Sequence, residues 1–210
     1  CIALLNECDI VVTNPPFSLM KEYIPLLAES GKQFLVLGNM NHITFKEIFH
    51  YFRENKMWLG YNAGHFWFKV PDYYEAKNTD YKQDEDGQKW RRLGNICWFT
   101  NMDIDIRHQF LDLYKHFSIQ EYPEYDNYDA YFVKTVADIP CDTDKPLAVP
   151  ITFLSSFSPD QFELLDANQF RKNDEVPVKS HGLIKDKDGT IKGKATYARL
   201  LVRNRNPKKE

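Results

Sequence analysis

Asn14-Pro15-Pro16-Phe17 is the tetrapeptide in this chain whose residue types and spacing could do chemistry. It directly follows Asp9-Ile10-Val11-Val12-Thr13, a β-branched run of the kind that forms a buried parallel strand. A loop at the carboxyl end of such a strand faces the ligand crevice of an open α/β sheet. Two prolines fix two φ angles and remove two N–H groups, and Asn14, preceding Pro15, is pushed out of the α region. The outcome is a stiff corner offering two acceptors, the Asn14 side-chain oxygen and the Pro15 carbonyl. A converging pair of acceptors suits a planar –NH₂ group. In adenine the exocyclic lone pair is delocalised into the ring; two acceptors holding the two hydrogens favour a more tetrahedral nitrogen and free that lone pair for attack. Geometry and electrostatics then supply the acceleration, and no classical base is required. Phe17 would stack on the ring for about 1–3 kcal/mol. A base inside a duplex reaches such a corner only when flipped out. The plainer alternative is a Pro-Pro turn that merely ends a strand.

The elements around the corner read as strand–helix–strand–helix, which implies parallel strands with right-handed crossovers. Ser18 is placed to cap a helix over about 19–30, with Pro25 kinking it or marking its effective start and Gly31 as its C′ residue. Residues 33–37 form a second buried strand, ended by Gly38-Asn39. A helix over about 44–55 follows, capped by Thr44, with Phe45, Ile48, Phe49 and Phe52 at helical spacing. Beyond it, Trp58–Tyr61, His65–Val70 and Asn95–Thr100 are strand-like, the last two as an antiparallel pair around a long polar loop at 71–93. Residues 107–117 look helical. Residues 118–146 read as irregular surface, despite Tyr122, Tyr125, Tyr128 and Tyr131 at every third position. Pro150–Leu154 reads as a short strand, and Ser158-Pro159 as the cap and first position of a short helix. The end reads as a hairpin: Leu183–Lys187, a turn at Asp188-Gly189, and a strand over about 195–203. On that strand Ala198, Leu200 and Val202 share one face, and Tyr197, Arg199 and Arg203 the other.

The N-P-P-F context resembles the catalytic motif of amino-methylating, S-adenosylmethionine-dependent methyltransferases. Residues 9–17, Gly38-Asn39, Val70-Pro71-Asp72-Tyr73-Tyr74-Glu75, Gly94–Asn101 and Val149–Leu154 together resemble the EcoRI-type adenine-specific DNA methyltransferase family, in the family's order and over most of the chain. The resemblance implies an α/β, Rossmann-like class I fold and methyl transfer from S-adenosyl-L-methionine to adenine N6 in double-stranded DNA, in a restriction–modification or phage setting. It implies Asn14, Pro15, Pro16 and Phe17 as catalytic residues, with Asn14 also at the cofactor. It makes the pair near 65–70 and 95–100 the reversed hairpin that closes the sheet. The same motif occurs in methyltransferases of glutamine side chains and of RNA, so those acceptors stay open, as does a non-catalytic nucleic-acid-binding remnant. The family's glycine-containing loop after its first strand, and the acidic residue after its second, have no counterpart: none of the nine glycines forms a G-x-G. In the family's order those elements precede Asp9, and Cys1 leads straight into Ile2-Ala3-Leu4-Leu5, which reads as a helix already under way. The expectation is a partial class I sheet. Residues 1–118 form the catalytic half, lacking most of the cofactor site and binding S-adenosylmethionine weakly or not at all. Residues 119–210 form a small α+β extension, a possible DNA-recognition region, packed on the sheet.

Composition bounds these readings. With 210 residues, 43% hydrophobic, 27% charged and a net charge of −3, the chain is globular, and no apolar run reaches membrane-span length. Cys1, Cys8, Cys97 and Cys141 lack C-x-x-C spacing and read as buried free thiols of a reducing, cytoplasmic protein. From Lys179 to Glu210 ten Lys/Arg face three Asp/Glu, a local +7 against −10 elsewhere, which fits either a polyanion contact or a solvated tail. Lys89, Arg91 and Arg92 around Trp90, and Lys192, Lys194, Arg199, Arg203 and Arg205 near the end, are the candidate DNA contacts; a solvated loop and tail are the plainer alternatives. Phe66, Trp67, Phe68, Trp98 and Phe99 supply candidates to cover the second face of a flipped base, alternation along strands assigning about half of them to the core. The six histidines show no metal-ligand spacing, so no metal site is expected; His42 reads as a loop histidine, and Asp84-Glu85-Asp86 as a charged loop tip.

Overall fold

The computed structural model describes residues 2–61, 64–75, 80–125, 129–167, 183–185, 191–194 and 199–208. Helix α1 (Ile2–Glu7) leads into β1 (Ile10–Thr13); α2 (Met20–Glu29) returns the chain to β2 (Gln33–Asn39), and α3 (Lys46–Arg53) follows. β1 and β2 are parallel, with Ile10 opposite Gln33 and Thr13 opposite Val36. β3 (Trp58–Leu59), β4 (Gly64–Lys69) and β5 (Tyr81–Gln83) all pair antiparallel with the 12-residue β6 (Lys89–Thr100), which itself runs antiparallel to β2. This is a mixed α/β sheet in the order β1-β2-β6-β3. A second sheet, β7-β8-β12-β9, combines β7 (Tyr131–Phe132), β8 (Leu147–Pro150), β9 (Phe162–Ala167) and β12 (Arg199–Asn204); β10 (Leu183–Lys185) and β11 (Ile191–Lys194) pair with each other. Apolar side chains of both sheets and of α2 and α3 form one continuous core, from Ile24, Phe34, Phe49 and Phe99 to Phe153, Phe162 and Val202.

Local physics accounts for the departures from expectation. β1 is parallel as expected but not buried on both faces: Ile10 is 47% and Val12 66% exposed, because β1 has a strand neighbour on one side alone among the described residues. Ser18 lies in a 3₁₀ turn (Phe17–Leu19) and does not cap α2, which starts at Met20 and contains Pro25. Gly31 has φ +70°, the left-handed conformation of a C′ residue. Thr44 ends another 3₁₀ turn (Met40–Thr44) and donates its hydroxyl to the Asn41 carbonyl at 2.6 Å, so Phe45 precedes α3 instead. The region 107–117 is extended beyond a 3₁₀ turn at Asp105–His108. The Gln161 side chain holds both backbone groups of Leu111, accepting from its N–H at 2.6 Å and donating to its carbonyl at 2.8 Å, which replaces the bonds a helix would need. Tyr122 and Tyr125 are buried rather than at the surface; Tyr128 lies outside the described residues. The strand expected at 150–154 comes earlier, as β8, and Ile151–Ser156 is a 3₁₀ turn. After Ser158 a single turn leads into β9, not a helix. β12 pairs with β8 and β9 instead of closing a hairpin with β10, and is buried on both faces. Asp188, Gly189, Tyr197 and Ala198 lie outside the described residues. Among the described residues no helix is long and apolar enough to cross a membrane. Cys97 and Cys141 are buried free thiols and Cys8 a half-buried one; Cys1 is not described.

Candidate active site

Because β1 and β2 are parallel, the segments that follow them emerge at one edge of the sheet. Asn14–Phe17 leaves β1 there and Asn39–His42 leaves β2. Pro15 is buried and anchors the corner, while Asn14, Pro16 and Phe17 are exposed, Phe17 by 38%. The Pro16 carbonyl accepts from Leu19 N–H at 3.0 Å and starts the turn that feeds α2. No described residue donates to the Asn14 side chain or to the Pro15 carbonyl. Neither acceptor is therefore spent inside the chain; Asn14 is exposed, and Pro15 is buried next to the exposed Pro16 and Phe17.

The β2 side supports this corner. Asn39 and His42 cap each other: the Asn39 side chain accepts from Asn41 N–H at 2.9 Å, and Asn39 N–H donates to His42 Nδ1 at 3.3 Å. Accepting at Nδ1 fixes a neutral imidazole with its proton on Nε2. The His42 ring meets Phe17 edge-on at 5.1 Å and lies 5.4 Å from Phe45, over which Lys21 Nζ sits at 4.6 Å. His42 is buried, and desolvation pulls its pKa below the ordinary histidine range. It is thus not a plain loop histidine. The sequence signal for it is the N-x-x-H spacing of a reciprocal cap at a strand end. Beneath, Gly38 leaves room for Phe99 and Met20, both fully buried.

The basic-aromatic cluster sits on a strand, not in a loop. Lys89 Nζ donates to the carbonyls of Asp72 and Tyr74, and Arg92 is bound twice to Asp80, through Nη2 at 2.6 Å and Nε at 2.9 Å. Arg91 is exposed, its guanidinium 5.6 Å from the Tyr74 ring. Asp84 is no idle loop tip: it accepts from Trp90 Nε1 at 2.9 Å and Gln88 N–H at 2.8 Å, closing a turn in which Gly87 has φ +79°. Phe99 is core, Trp98 is half-buried against Gly60, and Phe66 stacks on Phe68 at 6.1 Å along the β4–β6 pair.

At the other end of the chain the structure removes one candidate contact. Arg199 is buried and donates from Nη1 to the Val133 carbonyl at 2.6 Å, with its guanidinium 4.4 Å from the Phe132 ring, so it is a core residue and not a phosphate contact. Arg203 is exposed and pairs with Glu163 at 3.4 Å; Arg205 Nε donates to the Phe162 carbonyl at 3.3 Å. Lys192 and Lys194 lie on β11. The ligand atoms of His116, Cys141 and Asp142 come within 4.8 Å of one another, which sequence spacing could not reveal because a bridge between Lys115 and Pro140 brings them together. The Asp142 carboxylate is already engaged by His116 at 3.0 Å and Phe117 N–H at 2.8 Å.

Comparison of the sequence with known proteins matches the chain to one family. The family model described as adenine-specific methyltransferase EcoRI matches residues 1–205. The chain is 43% identical over 212 residues to the type II methyltransferase M.EcoRI of Escherichia coli, covering 99% of this chain and 61% of that protein. It is 38% identical to the type II methyltransferase M.MpnI of Mycoplasma pneumoniae and 37% identical to M.MgeORF184P of Mycoplasma genitalium, covering 97% and 96% of this chain and 66% of each relative. The chain thus spans about three-fifths to two-thirds of the length of these relatives. No solved structure matches it significantly.

Proposed function

The chain belongs to the EcoRI adenine-specific methyltransferase family, and from that premise we propose that it carries the acceptor half of an enzyme methylating adenine N6 in double-stranded DNA. The observation that carries this reading is the corner itself: two unengaged acceptors, Asn14 and the Pro15 carbonyl, beside the half-exposed Phe17 at the carboxyl edge of a parallel pair. The adenine amino group donates its two hydrogens to these oxygens, which localises the nitrogen lone pair. Phe17 stacks on one face of the flipped base. Pro15 and Pro16 hold the oxygens without reorganisation as the nitrogen changes geometry, so the stabilisation is already in place when the bond forms. His42 is neutral and carries no catalytic proton in this scheme; it backs the Phe17 ring.

The antiparallel β6 between β2 and β3 supports the partial class I sheet, and residues 1–118 are proposed as its catalytic half, with 119–210 as the extension that contributes to DNA recognition. S-adenosyl-L-methionine, the donor the family implies, supplies an activated methyl group. The described residues do not by themselves fit it. Asn14 is the one group at the crevice assigned to it. The open side of β1 presents Leu4, Ile10, Val12 and Leu26 along a groove of 460 Å³, a mostly apolar wall with one carboxylate, Glu7, and no glycine in its lining. The donor site is therefore assigned mainly to the portion of the relatives that this chain does not span.

The test is methyl transfer to a duplex, a single-stranded RNA and a glutamine peptide, using the chain joined to the remaining portion of M.EcoRI. The expected product is N6-methyladenine in the duplex, and Asn14→Ala is expected to lower the rate by about 10²–10³, the scale of losing one preorganised transition-state hydrogen bond. Transfer to RNA or to peptide instead, or an unaffected Asn14 variant, overturns the reading.

A further inference from the structure

We propose that the arm formed by β4, β5 and the first half of β6 grips the duplex beside the target base, with Lys69, Lys82 and Arg91 as its phosphate contacts; this rests on DNA being the substrate, as proposed above. Its position follows from register. Asn39, the last residue of β2, lies opposite Ile96, yet β6 begins at Lys89, so Lys89–Asn95 continues past the edge at which Asn14 and Phe17 emerge. At about 3.3 Å per residue this overhang reaches about 20 Å, which is about six phosphate steps along one DNA strand. Where the arm leaves the sheet, Asn95 has φ +61° and the β4–β6 register shifts between Gly64 and His65, a bulge that re-aims the arm relative to the sheet. A duplex delivering a flipped base to Asn14 lies alongside it.

The arm's charges are arranged for such a neighbour. Lys69 and Lys82 are both paired in register with Trp90, so they share one face with it. Lys82 Nζ lies 4.6 Å from the Trp67 ring and 5.8 Å from Trp90, and Lys69 Nζ 5.4 Å from Trp90; Arg91 covers Tyr74 on the opposite face. None of the three cations has a carboxylate within ion-pair distance among the described residues. Two of the arm's acids are engaged, Asp80 by Arg92 and Asp84 by Trp90 and Gln88, while Asp72, Glu75, Glu85 and Asp86 are exposed outside its strands. A cation resting on a ring keeps its charge and is held in place. Lys89 and Arg92, by contrast, spend their donors inside the arm and are not assigned to DNA.

The experiment measures binding of the chain to a duplex oligonucleotide by fluorescence anisotropy as a function of salt, for the parent, the triple variant K69Q/K82Q/R91Q, and K89Q as a control. Each lost phosphate contact lowers the log–log salt slope by about 0.9. The triple variant should therefore lose about 2.7 from the slope, so that an about fourfold rise in salt weakens it about 40-fold less than it weakens the parent. K89Q should leave the slope unchanged. If the triple variant does not fold, K82Q alone should still lower the slope by about 0.9. A folded variant with the parent's slope removes the arm assignment and leaves DNA as the substrate. A parent that ignores duplex DNA, or prefers single-stranded RNA, removes both.

Discussion

Replacing Gly38 by alanine tests how tightly the floor of the catalytic edge is packed. Gly38 lies on β2 opposite Cys97, one residue before the Asn39–His42 cap. A Cβ there would overlap Phe99 Cε2, stand 2.8 Å from Phe99 Cδ2 and 3.0 Å from Met20 Cε. Neither neighbour can swing away: both are fully buried, and Phe99 also packs edge-on against Phe52 at 5.9 Å. Overpacking of this kind costs about 1–3 kcal/mol, and the loss of unfolded-chain freedom on replacing glycine offsets about 0.4–1 kcal/mol of it. The expected net loss for Gly38→Ala is about 1.3 kcal/mol from the middle of both ranges, seen in urea unfolding as a lower midpoint at unchanged m. Gly94 is the internal control. It lies on the same sheet with nothing within 4 Å of an added Cβ, so Gly94→Ala should be neutral or slightly stabilising. A Gly38 variant as stable as the parent, or a Gly94 variant equally destabilised, would falsify the packing argument.

Two further outcomes follow from buried groups. Burial lowers the His42 pKa, so between that value and about 6.5 the unfolded chain binds more protons than the folded one. The His42 contribution to stability is therefore complete above about pH 6.5 and is lost as pH falls through the folded pKa; urea midpoints should drop on acidification less steeply in His42→Asn than in the parent, and identical pH profiles would contradict this. Arg199→Ala removes a charged donor from the Val133 carbonyl and should cost about 1.5–3 kcal/mol without changing the salt slope of DNA binding; a slope change of about one phosphate contact would return Arg199 to the DNA surface.

The parallel pair and its corner were legible because local rules and tertiary demand coincide there. A β-branched run, a proline pair that cannot continue it, and a left-handed glycine after the following helix leave one reading, and β1, α2 and β2 follow it. The same rules failed where a distant side chain outbid the backbone. Residues 107–117 carry helical spacing, but Gln161, fifty residues on, takes both backbone groups of Leu111. Lys89–Arg92 reads as loop because a basic strand with a single apolar residue, Trp90, has no hydrophobic period to betray it; its partners β4 and β5 define it as a strand. Arg199 reads as a surface cation because alternation along β12 predicts a wet face and a dry one, whereas between β8 and β9 the strand is buried on both faces from Arg199 to Val202 and opens to water at Arg203.

That last distinction separates the two halves of the chain's chemistry. At the corner, the residues that would act on the base are those with no internal partner: Asn14 and the Pro15 carbonyl are unengaged, and Phe17 is backed on one edge by His42 and left 38% open. On the arm a parallel criterion, a charge resting on a ring and paired with no carboxylate among the described residues, selects Lys69, Lys82 and Arg91 over Lys89 and Arg92, although all five are cations on paired strands. A fold satisfies its own polar groups wherever it can, since each one left unmade costs stability. Groups held by their surroundings yet left without a hydrogen-bond or ion-pair partner are therefore the ones that can recognise something else, and here both sets project from one edge of the sheet.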